Sequence, residues 1–294
     1  MTFIRSMMFV PGNRQNMIDK SANAGADALV YDLEDSVPVT AKSEARAMVA
    51  AAVTKFDAAK AALYVRTNKG SHIYDFEDLL AVVQPGVSGI FVAKAEGPED
   101  IELLSRLVSE VEDRKGLPVG ALRFVVALET ARAVELAFPI AAHPRVQTLV
   151  MSAAKDADVA RNLGFIWTPS GLETVYARSR AIIACRAAGK RFPIGGLWQD
   201  VHDLEGLRRA ALFNRQLGFR GEICLHPSNV PVINEVYSLS ATERAYYEGL
   251  IAAFRAAEAE GRASVAYEGE HIDIAHVTTA QQILGDFAPS TGKS

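Results

Sequence analysis

Short, almost continuously apolar runs alternate with longer amphipathic ones along most of the chain. The apolar runs lie at 6–10 (SMMFV), 28–34 (ALVYDLE), 62–68 (ALYVRTN), 89–95 (GIFVAKA), 122–129 (LRFVVALE), 146–153 (VQTLVMSA), 192–198 (FPIGGLW) and 221–227 (GEICLHP). Each reads as a strand buried on both faces. Helical periodicity fills stretches between them, at 39–56, 98–116 and 203–218; Pro98 opens the second and Gly218 closes the third. Eight strand–helix units in succession predict an α/β chain, a (β/α)8 TIM barrel. An open doubly wound sheet is the competitor, but it usually has fewer strands and a Gly-rich first turn, and no G-x-G-x-x-G follows the first strand here. The pattern changes near residue 240. A single amphipathic helix is expected at 241–262, then SVAYEGEHID, then a short helix at TTAQQIL (278–284). The chain thus reads as a barrel catalytic domain over 1–239 and a C-terminal helical extension over 240–294. Such an extension packs on a neighbouring subunit or covers an active site. The final APSTGKS is expected to be disordered.

Polar residues gather at one end of the apolar runs, the end where a TIM barrel keeps its active site. The runs finish at Asn13-Arg14, at Asp32-Leu33-Glu34-Asp35, at Arg66-Thr67-Asn68, at Lys94, at Glu129-Thr130, at Ser152 with Asp156 and Asp158 beyond, at Asp200, and at His226-Pro227. Charges at the end of an apolar strand are costly unless paired or metal-bound. Glu129 and one of Asp156 or Asp158 offer hard oxygen ligands from adjacent strands, which with water and a bidentate substrate suit octahedral Mg2+. Arg66 offers a planar fork for a carboxylate. Together they describe a site for an α-keto acid. The competing reading is a salt-bridge network at the barrel mouth. Lys94 either neutralises acidic neighbours or touches substrate. Arg5 and Arg14 are either surface arginines or phosphate contacts near the first strand. His226 reads as a hydrogen-bonded residue at a strand end rather than a base, and His72, His143 and His202 as loop residues.

Composition narrows the partners. With 31 Lys and Arg against 35 Asp and Glu, the formal net charge is −4 and the basic residues are scattered, so there is no footprint for nucleic acid. No apolar run approaches the ~20 residues of a membrane span, and the stretch after Arg5 is too short for a signal peptide. Cys185 and Cys224 show no metal spacing and read as reduced core residues of a cytoplasmic protein.

The ordered set Arg5-Ser6-Met7-Met8-Phe9-Val10-Pro11-Gly12, Gly25-Ala26-Asp27-Ala28, Asp32-Leu33-Glu34-Asp35-Ser36-Val37, Val65-Arg66-Thr67-Asn68, Leu128-Glu129-Thr130, Tyr176-Ala177-Arg178-Ser179, Leu217-Gly218-Phe219 and His226-Pro227 resembles the HpcH/HpaI aldolase and citrate lyase β-subunit family, especially its CitE-like branch. The resemblance spans nearly the whole chain. It implies a Mg2+-dependent carbon–carbon lyase acting on a β-hydroxyacyl-CoA or acyl-carrier thioester such as a malyl, citramalyl or citryl thioester. The products would be an acetyl thioester and a keto acid. Carried over residue by residue, Glu129 and Asp156 hold the metal, with Asp158 as the alternative register. Arg66 and Glu129 contact the acid, and Asp32, Glu34 and Asp35 line the site and orient metal waters or Arg66. Asn68, Arg14 and Lys94 complete the expected substrate contacts. The resemblance further implies a trimer or a multiple of one, in which a C-terminal acid reaches a neighbour's site. His271-Ile272-Asp273 occupies that place, so the expected catalytic set is Asp273, Arg66, Asp35 and Glu34. Two positions depart from the family pattern: Ala153 replaces a glycine ahead of the second metal carboxylate, with Lys155 beside it, and Ala93-Lys94 replaces Pro-Lys. Two other activities fit the same residues. One is hydrolysis of the thioester. The other is a β-chain that works only in a complex with an acyl carrier protein.

Overall fold

The computed structural model describes residues 3–287. The expected tail disorder at 288–294 falls outside the described residues. The chain divides into two units, residues 4–236 and residues 237–287 with Phe3.

The larger unit is a closed barrel of eight parallel strands. In chain order its elements are β1 (Ser6–Pro11), α1 (Gln15–Ser21), β2 (Ala28–Asp32), α2 (Lys42–Val53), β3 (Ala62–Arg66), α3 (Phe76–Val82), β4 (Gly89–Val92), α4 (Pro98–Arg114), β5 (Arg123–Ala127), α5 (Ala131–Glu135), α6 (Ala137–Ala142), β6 (Val146–Val150), α7 (Asp158–Leu163), α8 (Val175–Ala187), β7 (Ile194–Gly195), α9 (Leu204–Leu217), β8 (Gly221–Cys224) and α10 (Asn229–Val236). The ring closes where Ser6, Met7 and Met8 pair with Glu222, Ile223 and Cys224. Met7, Ala28, Val30, Tyr64, Phe91, Val125, Ala127, Val150, Ile194 and Ile223 fill the interior, as the side-chain alternation of each strand requires.

All eight expected strands form, but most stop short of the polar residues. β2 ends at Asp32, β4 at Val92 and β5 at Ala127. Glu34, Lys94 and Glu129 therefore stand on the loops that turn outward from the rim. β7 shrinks most, to Ile194–Gly195. Pro193 has no N–H for the ladder, and Gly196 turns away at φ 124°.

Arg5 lies at the opposite rim from these loops. Its Nε and Nη2 donate to Asp27 at 2.8 Å each, so the arginine ties the starts of β1 and β2 together. The reading of Arg5 as a phosphate contact is corrected by that pair. Both cysteines are buried, and burial pushes the Cys185 thiol up to about 11 and the Cys224 thiol up to about 12, which leaves them inert as nucleophiles. Among the described residues no helix is long and apolar enough to cross a membrane.

The smaller unit contains α11 (Ala241–Ala259), a hairpin of β9 (Ser264–Tyr267) and β10 (Glu270–Asp273), and α12 (Ile274–Asp286). Leu250, Ile251, Phe254, Ile272, Val277 and Ala280 form its core. The hairpin is absent from the periodicity reading. Its turn is Glu268-Gly269, both at positive φ (48° and 86°), the backbone that suits a two-residue connection. α12 starts at Ile274, four residues earlier than the pattern suggests, because Asp273 caps it.

Candidate active site

The last residues of β2 and β3 and the loops leaving β2, β4 and β5 carry a cluster of ions. Asp32 is almost wholly buried, and its two oxygens accept from Arg66 Nε and Nη2 at 2.7 Å each. Glu34 N and Ser36 N also donate to it, at 2.9 and 3.2 Å. Burial works against the Asp32 charge, but the Arg66 guanidinium more than offsets it and holds this carboxyl below the usual range. The same pair keeps Arg66 charged despite its burial. Arg66 therefore closes its fork on Asp32 rather than leaving it open for a substrate, which corrects the bidentate expectation. Its Nη1 edge remains, 3.0 Å from Glu34 Oε2 but out of line for a hydrogen bond. Beneath it the Phe9 ring lies 5.2 Å from the guanidinium carbon and presents its π face.

Lys94 bridges the next two acids. Its Nζ lies 2.7 Å from Glu34 Oε1 and 2.9 Å from Asp35 Oδ1, and its backbone N donates to Glu129 Oε2 at 2.8 Å. That backbone sits at φ 54°, a left-handed conformation that a non-glycine residue adopts only when its surroundings hold it there. Burial pushes the Glu129 carboxyl up to about 7; Glu34 and Asp158 push the same way, against the Lys94 N–H and Arg66. Burial also raises Glu34.

Several expected residues hold the loops in place. Asn68 directs its amide Nδ2 at Leu33 O (2.9 Å) and Asp78 Oδ2 (2.7 Å), so that amide braces the β2 loop. Lys42 reinforces it with bonds to Leu33 O (2.7 Å) and Glu34 O (2.6 Å), and Arg46 pairs with Asp78 at 2.8 Å. Sequence reasoning missed Lys42, Arg46 and Asp78. They sit on helices whose polar positions carry no signal of their target, and only the folded chain reveals it. Arg14 is exposed at the N-cap of α1. Asp156 is exposed at φ 55°, whereas Asp158, in the first turn of α7, bears electrostatically on Glu129 and also pairs with Arg161. Asp273 belongs to the smaller unit, where it caps α12. His226 bonds Ser228 Oγ at 2.7 Å, a local contact at the end of β8.

This donor set suits a hard divalent cation. Four acids, Asp32, Glu34, Asp35 and Glu129, gather here with Arg66 and Lys94 paired among them and Lys42 acting on Asp32, Glu34 and Asp35 from the β2 loop, so acids outnumber bases in the cluster. Among the described residues no three His, Cys, Asp or Glu side chains converge as a complete metal cage. Mg2+ does not need one, since it usually takes one or two carboxylates and fills its octahedron with water and substrate oxygens.

The raised Glu129 pKa has a consequence for stability. An ordinary glutamate titrates near 4.5, and here the folded state holds the proton up to about 7. The stability linked to this proton is complete below about 4.5 and is lost as the pH rises through about 7. In chelator-treated protein, the melting temperature of wild type minus that of Glu129→Gln should fall between pH 5 and 7.5 and then level off. A flat difference would refute the shift.

Residues 5–227 match the family model described as HpcH/HpaI aldolase/citrate lyase. The chain is 31% identical over 281 residues to citrate lyase subunit beta of Leuconostoc mesenteroides subsp. cremoris, covering 95% of this chain and 92% of that one. It is 30% identical over 280 residues to a (3S)-malyl-CoA thioesterase of Cereibacter sphaeroides, covering 95% and 93%. Its fold matches the crystal structure of Mycobacterium tuberculosis protein CitE in complex with magnesium, acetoacetate and coenzyme A. That match has a TM-score of 0.76 and 26% identity over 96% of this chain and 97% of that one.

Proposed function

The chain belongs to the HpcH/HpaI aldolase/citrate lyase family, and from that premise we propose that it is a magnesium-dependent carbon–carbon lyase of β-hydroxyacyl thioesters, of the malyl- or citramalyl-CoA kind. The observation that carries this reading is the half-buried Glu129 carboxyl beside an acid-rich cluster at the strand ends. In it Glu129 and a second acid would hold Mg2+. Asp158 is favoured for the second place because its charge bears on Glu129, and Asp156 is the alternative. The bound cation would stabilise negative charge on the hydroxyl oxygen and the neighbouring carboxylate as the bond opens.

The protein's own groups do the remaining work. Arg66, locked by Asp32, presents its Nη1 edge to the acid end of the substrate. Lys94 holds Glu34 and Asp35 in place around it. Arg14, exposed at the start of α1, is placed to meet phosphates of a CoA arm. Asp273, delivered by a second copy in a trimer or a multiple of one, carries the proton at the acetyl carbon. In cleavage the proton goes to that carbon as the carbon–carbon bond breaks; in condensation it is taken from the methyl group.

The test is product analysis with malyl-CoA and citramalyl-CoA in the presence of Mg2+. The lyase reading predicts acetyl-CoA with glyoxylate or pyruvate, and loss of both products on chelation. Free CoA without acetyl-CoA would instead establish a hydrolase, the reaction in the name of the Cereibacter relative. Turnover only after a small acyl carrier protein is added would place the chain as a lyase β-subunit.

A further inference from the structure

β10 ends on Asp273, and the next residue begins α12. Asp273 is thus both the last residue of the hairpin and the N-cap of the helix. Its Oδ1 accepts from Ala275 N at 3.0 Å and from His276 N at 3.4 Å, and lies 2.7 Å from His276 Nδ1. Asp273 N also lies 3.3 Å from His276 Nδ1, so the unprotonated nitrogen accepts this N–H as in a capping box, whereas the protonated one gives that bond up for the shorter contact to Oδ1. The third position of such a box ordinarily holds Glu or Gln, whose job is to accept the N-cap N–H. Histidine does something a glutamate cannot: with a proton on Nδ1 it donates to the carboxylate of the capping residue. Every contact above falls on Oδ1. Both side chains are about half exposed, 45% for Asp273 and 47% for His276. The His276 contact holds the Asp273 carboxyl below its ordinary range.

We propose that His276 is the positioning residue for Asp273, fixing Oδ1 against the helix so that Oδ2 alone is presented for proton transfer. The inference rests on the reading of Asp273 as the proton carrier. In condensation the acetyl C–H bond breaks, its proton passes to Oδ2, and the electron pair stays on carbon to attack the keto carbon, whose C=O π pair moves to the oxygen, which then takes a proton from water. Cleavage runs the same transfer backwards. A carboxylate free to rotate would meet the carbon with either oxygen and from varied angles, and misplacement by about 1 Å can cost on the order of 100-fold in rate.

Three variants separate positioning from mere capping. His276→Gln accepts and donates, so it should match wild type in melting temperature and stay within about threefold in kcat. His276→Glu restores the capping bond but places a negative charge beside Asp273. It should melt with wild type, keep KM within about twofold, and lose about 10- to 100-fold in kcat. His276→Ala should lose both stability and rate. The rate is read as exchange of acetyl-CoA methyl protons with deuterated solvent, with Mg2+ and pyruvate present, and Asp273→Asn as the control. A His276→Glu protein with wild-type kcat overturns the positioning role while leaving Asp273 intact as carrier. An Asp273→Asn protein with wild-type exchange overturns the carrier and the positioning role together. No exchange in wild type would overturn the lyase reading itself.

Discussion

Replacing Glu129 by Gln should lower Mg2+-dependent cleavage of the thioester by at least about 1000-fold. The amide keeps the shape and can still accept from Lys94 N at the 2.8 Å contact seen for Oε2. What it loses is the charge. A metal contribution of roughly 4 kcal/mol to the barrier corresponds to that factor in rate. The fold should survive, because the buried site is relieved of an ionisable group whose pKa burial has pushed up to about 7. Asp158→Asn should follow in the same direction and Asp156→Asn should do less, since the charge of Asp158 is the one that bears on Glu129. Steady-state kinetics over a range of Mg2+ concentrations checks both. The reverse order would exchange the roles of the two aspartates.

Arg66→Met should be the most destabilising change in the site. It removes both 2.7 Å bonds to Asp32, whose side chain is 2% exposed. The buried carboxylate would lose its paired cation and keep only Glu34 N and Ser36 as hydrogen-bond partners. Breaking a buried pair from one side costs about 3–5 kcal/mol, mainly through the charge left behind. The double variant Arg66→Met/Asp32→Leu should recover much of that loss, because a hydrophobic pair of similar volume replaces a buried ion pair with little net cost. Neither protein should turn over substrate. Chemical denaturation measures both. A single variant as stable as wild type would mean that the pair is solvated in solution.

The two residues also show what was legible in the chain. Glu129 and Arg66 stand at the ends of apolar runs, and a near-continuous apolar run with an acid or a base at one end identifies a barrel rim without any contact being known. The partner of Arg66 was legible only through the resemblance, which set Asp32, Glu34 and Asp35 around it without choosing among them. Asp32 is 34 residues away, and only the parallel register that sets Asp32 against Arg66 makes their pairing natural. The bracing by Asn68, Asp78 and Lys42 was invisible for the same reason: the bonds join loops to helices through the fold. The hairpin before α12 was hidden by its length, since four-residue strands give too short an alternation to detect. Glu268-Gly269 was the signal that would have found it, because a residue followed by glycine between alternating runs marks a two-residue turn. His276 was read as part of no motif, since capping chemistry depends on where α12 starts.

The central claim is that Glu129 at the barrel rim binds a divalent cation together with a small keto acid. Titration of Mn2+ as a spectroscopic substitute for Mg2+, followed by electron paramagnetic resonance with and without pyruvate, tests it most directly. One site per chain is expected in wild type, tightened by pyruvate and lost in Glu129→Gln. Equal Mn2+ binding by the two proteins would contradict it.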